Sequence, residues 1–232
     1  FANTHFLPLI LNKNKIKYNF GVPMLESFFF HNQMYDLTGC EKSDEKECLE
    51  YVKKFYNLDF EYEVSDSSFV NYSEIANLSS KKVSAILPFT FGKESLATLA
   101  LCEELEIEPI LMYSQEPAHS YEEEYKKTKL QELSKNFGIT YYYLKNDPGL
   151  FRYGLAFDLD FPTEIGWGSQ TTILALLSFP FAYFNKSKYI LFGNEVSCNE
   201  YEFENGWKTY PSGFDQTRHW VKQQNNIIDR KS

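Results

Sequence analysis

The stretch Val83 to Leu105, VSAILPFTFGKESLATLALCEEL, constrains the fold more than any other part of the chain. Its apolar opening, closing on Leu87-Pro88-Phe89, predicts a buried strand, Thr90 to Ser95 a polar loop, and Leu96 to Leu105 a helix. A strand that turns tightly into a helix makes an anion site. The first helical turn carries unpaired N–H groups and the positive end of the helix dipole, so negative oxygens placed there find donors. Gly92 lets the backbone come close and permits a left-handed turn, Lys93 brings charge, and Ser95 brings a hydroxyl on an exposed loop. The alternative is an ordinary strand-to-helix turn in which Ser95 caps and Lys93 is solvated.

The pattern around this stretch alternates strand and helix. After the strand Val83 to Phe89 and the helix Lys93 to Glu106 come a strand over Pro109 to Ser114 and a helix over Ser120 to Phe137, with Gly138 as its stop signal. On that second helix Glu122 with Lys126 and Glu123 with Lys127 form the wet side, and Leu130, Leu133 and Phe137 the dry side. A strand over Ile139 to Leu144, a long connection from Lys145 to Gly166, a helix from about Trp167 to Asn185 and a strand over Lys188 to Phe192 complete the series. Such alternation predicts an α/β domain over residues 81–232, a Rossmann-like parallel sheet with helices on both faces. Ligands bind where parallel strands emerge, and Gly193-Asn194-Glu195 follows the last strand there.

Residues 1–80 read as a small α+β region flanking this domain. His5 to Leu11, Lys15 to Phe20, Glu26 to Tyr35 and Asp59 to Val64 have the density of strands, with a hairpin turn at Asn12-Lys13-Asn14. Glu45 to Asn57 is helical, with Asp44 able to cap and Cys48, Leu49, Val52 and Phe55 forming an apolar stripe. The tail from Ser197 is dense in polar and aromatic residues, and Lys208 or Arg218 could pair with a second anion there. His219 has no His or Cys near it in sequence and fits a surface hydrogen bond better than a metal.

Two known phosphate loops could be meant by Thr90 to Ser95. A Walker-type loop fails twice, because Lys93 is followed by Glu94 and its first glycine position is Leu87. The segment instead resembles the S-G-G-x-D-S pyrophosphate loop of the PP-loop ATP pyrophosphatases, a superfamily that includes GMP, NAD and asparagine synthetases and tRNA-thiolation enzymes. Thr90 stands for Ser, Gly92 for the second Gly, Glu94 for Asp and Ser95 for the final Ser, while Phe91 departs from the first Gly. The run Gly193 to Asn199 behind a flanking amino-terminal region is also similar, in part, to the PP-loop epimerase that inverts the terminal glutamate of a muramyl dipeptide.

The resemblance implies ATP and Mg²⁺ as cofactors and an adenylation that releases pyrophosphate. It implies a nucleotide site of Thr90, Phe91, Gly92, Lys93, Glu94 and Ser95, with adenine against Tyr113 and Ser114 and with Gly193 and Asn194 near the pyrophosphate. Lys93, Ser95 and Glu195 would be catalytic, and Glu94 and Glu195 would hold the metal. A nucleotide-binding regulatory module without turnover, suggested by Phe91, and an α/β domain whose loop match is chance stay open as alternatives.

Charge narrows the acceptor. With 32 acidic against 23 basic residues, the net charge of -9 argues against a broad phosphate-backbone footprint and so against tRNA or other nucleic acid. A small-molecule or peptide carboxylate fits better, and a homo-oligomer stays open. Cys40, Cys48, Cys102 and Cys198 lack the C-x-x-C spacing of a zinc or iron–sulfur site and read as reduced cytoplasmic thiols, Cys102 as core. No stretch reaches about 18 uncharged apolar residues, and the amino end lacks a basic segment before an apolar core, so no membrane partner and no signal peptide is expected. The chain begins at Phe1, so no missing element counts against the fold.

Overall fold

The computed structural model describes residues 11–19, 35, 45–63, 83–115, 121–145, 170–204, 206–211 and 213–228. The chain divides into two compact units, one of residues 75–150 and 172–195 and the other of residues 1–74, 151–171 and 196–232.

The first of these is the α/β unit. Its elements are β3 (Ser84–Pro88), α2 (Lys93–Glu104), β4 (Glu108–Ser114), α3 (Glu123–Phe137), β5 (Thr140–Leu144), α4 (Gln170–Asn185, all but its first two residues in this unit) and β6 (Tyr189–Ile190). The four strands form one sheet in the order β5-β4-β3-β6, and every pairing is parallel. β3 is interior and buried along its whole length, which is why its sequence runs apolar rather than alternating after Ser84, whose hydroxyl donates to Ser187 Oγ at 3.1 Å.

Helices cover both faces, as successive residues of a strand dictate. Leu87, Phe89, Leu111 and Tyr113 point to one face, where Leu99 of α2 and Leu130 and Leu133 of α3 meet them. Ile86, Ile110 and Met112 point to the other, where Leu174, Leu177 and Phe181 of α4 meet them. Cys102 is core, as its place on α2 predicts, and burial pushes its thiol pKa up.

Gly138 ends α3 in the left-handed conformation, φ 68°, with its N–H donated to Ser134 O at 2.8 Å. Two expectations for α3 need correction. Phe137 is 72% exposed rather than on the dry side, which Leu130 and Leu133 form without it. Glu122 does pair with Lys126, but Glu123 turns inward to Gln115 and Tyr143, and Lys127 lies over the Tyr143 ring at 5.8 Å.

In the second unit β1 (Lys15–Tyr18) and β2 (Asp59–Tyr62) pair in parallel, and α1 (Glu45–Tyr56) contributes buried Val52 and Phe55. The expected strands over 5–11 and 26–35, the partner strand of the Asn12 turn and the Asp44 cap lie outside the described residues but for isolated positions. The tail forms a hairpin of β7 (Glu202–Glu204) and β8 (Trp207–Thr209), a 3₁₀ turn at Phe214–Gln216, and α5 (Arg218–Ile228). Sequence placed this tail with the α/β domain and the boundary at residue 80. The structure groups it instead with the amino-terminal part, and Tyr35 shows why: its ring packs on Tyr210 at 5.9 Å and Phe214 at 4.9 Å. Among the described residues no helix is long and apolar enough to cross a membrane.

Candidate functional site

The loop from Thr90 to Ser95 leaves the carboxyl end of interior strand β3 and enters α2. Phe91 takes the left-handed conformation, φ 65°, and its ring packs edge-on against Phe89 at 4.7 Å. A bulky residue rarely adopts that backbone. The position where the PP-loop motif has its first glycine thus has the conformation glycine favours, held by an aromatic anchor. Gly92 does not carry the positive φ expected of it. With φ -73° and ψ 164° it is an extended N-cap that supplies no side-chain cap.

The first helical hydrogen bond of α2 runs from Leu96 N–H to Gly92 O at 3.0 Å, so the N–H groups of Lys93, Glu94 and Ser95 find no carbonyl partner within the helix, and that of Glu94 turns to its own carboxylate. Ser95 is 7% exposed rather than open to solvent, and its hydroxyl donates to Gly92 O at 3.0 Å. That bond ties the turn together. For the hydroxyl to serve an anion as donor, it must rotate away from Gly92.

The segment after β6 closes the other side. A Cβ on Gly193 would stand 2.6 Å from Glu94 O and 2.7 Å from Glu94 C, so backbone meets backbone where only glycine fits. This contact brings Glu195 to the loop. Lys93 Nζ lies 3.1 Å from Glu94 Oε1 and 3.6 Å from Glu195 Oε1, one ammonium between two carboxylates. Glu94's own backbone N–H, and after it the Lys93 ammonium, hold its carboxyl below the usual value, while Glu94 and then Glu195 push Lys93 up. Lys93 is 82% exposed in its side chain, so these pairs contribute little to stability. Asn194 is half-buried between Gly193 and Glu195.

Of the remaining predicted residues, Tyr113 is buried against α3 on one face of β4, with Lys126 Nζ 5.8 Å over its ring. Ser114 is 8% exposed and its hydroxyl has no partner among the described residues. The structure therefore joins Gly92, Lys93, Glu94, Ser95, Gly193 and Glu195 in one place and leaves Tyr113 and Ser114 on the neighbouring strand end. In the other unit, Lys208 Nζ is caged 3.9 Å from the Tyr201 ring and 4.9 Å from the Tyr210 ring. Arg218 donates its N–H to Asn199 Oδ1 at 2.8 Å, and His219 meets Gln223 on the surface.

Sequence reasoning missed a cluster past the end of β4. Glu123 Oε2 accepts from Gln115 Nε2 and, at 3.3 Å, from the Tyr143 hydroxyl. Glu123 reads in sequence as one more charge on a wet helix face. Only the β4–β5 register, Tyr113 opposite Tyr143, carries Tyr143 to it.

A divalent cation would need converging oxygen donors here. Among the described residues no group of three or more acidic, His or Cys side chains converges. Magnesium needs fewer, since one or two carboxylates complete its shell with phosphate oxygens and water, and Glu94 with Glu195 meets that need.

The fold and site define an α/β unit with a loop-to-helix site at the carboxyl edge of a parallel sheet. No protein-family model matches the chain, and no curated protein matches it in sequence.

Proposed function

We propose that the chain is an ATP-dependent adenylating enzyme of the PP-loop type, holding the nucleotide's pyrophosphate at Thr90 to Ser95 and activating a small-molecule or peptide carboxylate. The observation that carries this is the contact of Gly193 with the Glu94 backbone, which brings Glu195 to the Lys93–Glu94 pair beside the first-turn N–H groups of α2. The left-handed Phe91 supports it, because the residue at the motif's first-glycine position takes a backbone conformation that glycine adopts freely.

In this reading an oxygen of the acceptor carboxylate attacks the α-phosphorus, the bond to the bridging oxygen breaks, and pyrophosphate departs with that electron pair. An acyl adenylate remains, open to ligation or to epimerisation at the adjacent carbon. The chain's part is to fix the in-line geometry and to meet the charge that builds on the leaving group. The N–H groups of Lys93 to Ser95 and the Lys93 ammonium do the second. Glu94 and Glu195 would hold Mg²⁺, which would supply neutralisation of the phosphate charge.

The test is incubation of the full chain with ATP, Mg²⁺ and a panel of carboxylates. AMP and pyrophosphate formed in equal amounts, dependent on one carboxylate, support the reading; no AMP with any acceptor refutes turnover. One observation favours a nucleotide-binding module without turnover as the second reading. The Ser95 hydroxyl is already committed to Gly92 O. Mg-ATP binding without AMP release would select it.

A further inference from the structure

We infer that Glu123 reads the sugar of the bound nucleotide, with its second carboxylate oxygen accepting from a ribose hydroxyl. The inference rests on the nucleotide reading above and deepens it.

Glu123 is held as a binding residue is held. Its Oε2 takes Gln115 Nε2 and the Tyr143 hydroxyl, which fix the plane of the carboxylate. Its Oε1 is buried and has no partner among the described residues. A buried carboxylate oxygen without a donor is costly, and a ligand hydroxyl or an ordered water that supplied the donor would relieve that cost. The neighbouring ammonium groups are turned elsewhere, Lys126 to Glu122 and Lys127 to the face of the Tyr143 ring. Pressing Tyr143 against this site raises its own pKa, through burial first and the Glu123 charge second, so the hydroxyl stays a donor.

The position fits a sugar. The order β5-β4-β3 places Tyr143 two strands from the loop, roughly 10 Å along the carboxyl edge at the usual strand spacing. That is the direction in which a nucleotide with its pyrophosphate at α2 extends its sugar and base. In doubly wound sheets a carboxylate following the second strand accepts from ribose hydroxyls. Here Gln115, the residue directly after β4, carries Glu123 into the corresponding place. A cation is a poorer fit, since Glu123 Oε2 is already engaged by two donors.

The experiment is calorimetric titration of the full chain with Mg-ATP, its 2′-deoxy and 3′-deoxy forms, Mg-inosine triphosphate and Mg-pyrophosphate. The parent, Glu123→Gln and Tyr143→Phe are compared. The parent is expected to bind one deoxy form roughly ten- to a hundred-fold more weakly than ATP. In Glu123→Gln that discrimination should collapse while pyrophosphate affinity stays at the parent's value, which also shows the loop to be folded. Tyr143→Phe, a positioning change, should narrow the discrimination without erasing it. A parent that binds ATP and both deoxy forms alike overturns the sugar assignment alone. So does a Glu123→Gln variant that loses discrimination against inosine rather than deoxyribose. A parent that binds neither ATP nor pyrophosphate overturns the loop reading, and this one with it.

Discussion

Gly193→Ala gives the sharpest test of how the site is built. The added Cβ would meet Glu94 O at 2.6 Å and Glu94 C and Cβ at 2.7 Å, well inside ordinary contact. Two of these atoms belong to the backbone at the start of α2 and cannot swing aside as a long side chain can. Overpacking of this kind costs about 1–3 kcal/mol, and the relief open to the chain is to draw the segment after β6 away from the helix. For a chain of this size that corresponds to a melting temperature lower by roughly 2–12 °C. The same movement takes Glu195 out of reach of Lys93, now at 3.6 Å, so Mg-pyrophosphate should bind at least ten-fold more weakly. Circular dichroism melts and calorimetry measure both. Gly92→Ala is the control for the melt, because its Cβ would find only Thr90 Oγ1 at 3.4 Å and Glu94 Oε2 at 3.6 Å. A Gly193→Ala protein that melts with the parent and binds pyrophosphate equally would refute the close packing and the role drawn from it.

Gly92→Ala itself should keep the parent's melting temperature, since φ -73° suits alanine, yet lose roughly ten-fold or more in pyrophosphate affinity because a methyl group crowds the N–H donors. Ser95→Ala removes the bond to Gly92 O and should cost about 0.5–1.5 kcal/mol in urea denaturation, with a smaller loss of pyrophosphate affinity than Gly92→Ala. Chelation of Mg²⁺ should abolish ATP binding, because two carboxylates and one ammonium leave the loop negative and repel a bare triphosphate; undiminished binding in EDTA, measured by equilibrium dialysis, would contradict this. The Glu94 carboxyl should titrate below the 4.5 of an ordinary glutamate, and Lys93→Ala should raise it only part of the way, because its own N–H is the larger cause. The sign follows from the lowered value: the contribution of these contacts to the folded state is present above the ordinary carboxyl pKa and is lost as pH falls through the lowered one. Carboxyl carbon shifts followed by NMR decide it.

The α/β core was legible because its signals are local. A buried interior strand is mostly apolar, a helix ends where Gly138 can turn left-handed, and alternation of strands with helices leaves a parallel sheet as the economical solution. The loop was legible for the same reason, since a polar turn between such a strand and helix places N–H groups at the sheet's edge. The hairpin and helix of the tail were not, because Trp207, Tyr210, Phe214 and Trp220 follow no period and are ordered by packing on one another and on Tyr35.

By itself the sequence determined the elements of the α/β unit and the candidate loop, including the odd residue Phe91. The tertiary structure decided that Phe91 rather than Gly92 takes the left-handed turn, because its ring has Phe89 to anchor it. It also decided that Gly193 serves close approach to Glu94, and that Glu123 belongs with Gln115 and Tyr143 rather than with Lys127. Each depends on which residues of distant segments are brought face to face. Strand order and register set that, and a linear pattern of polar and apolar residues does not encode either.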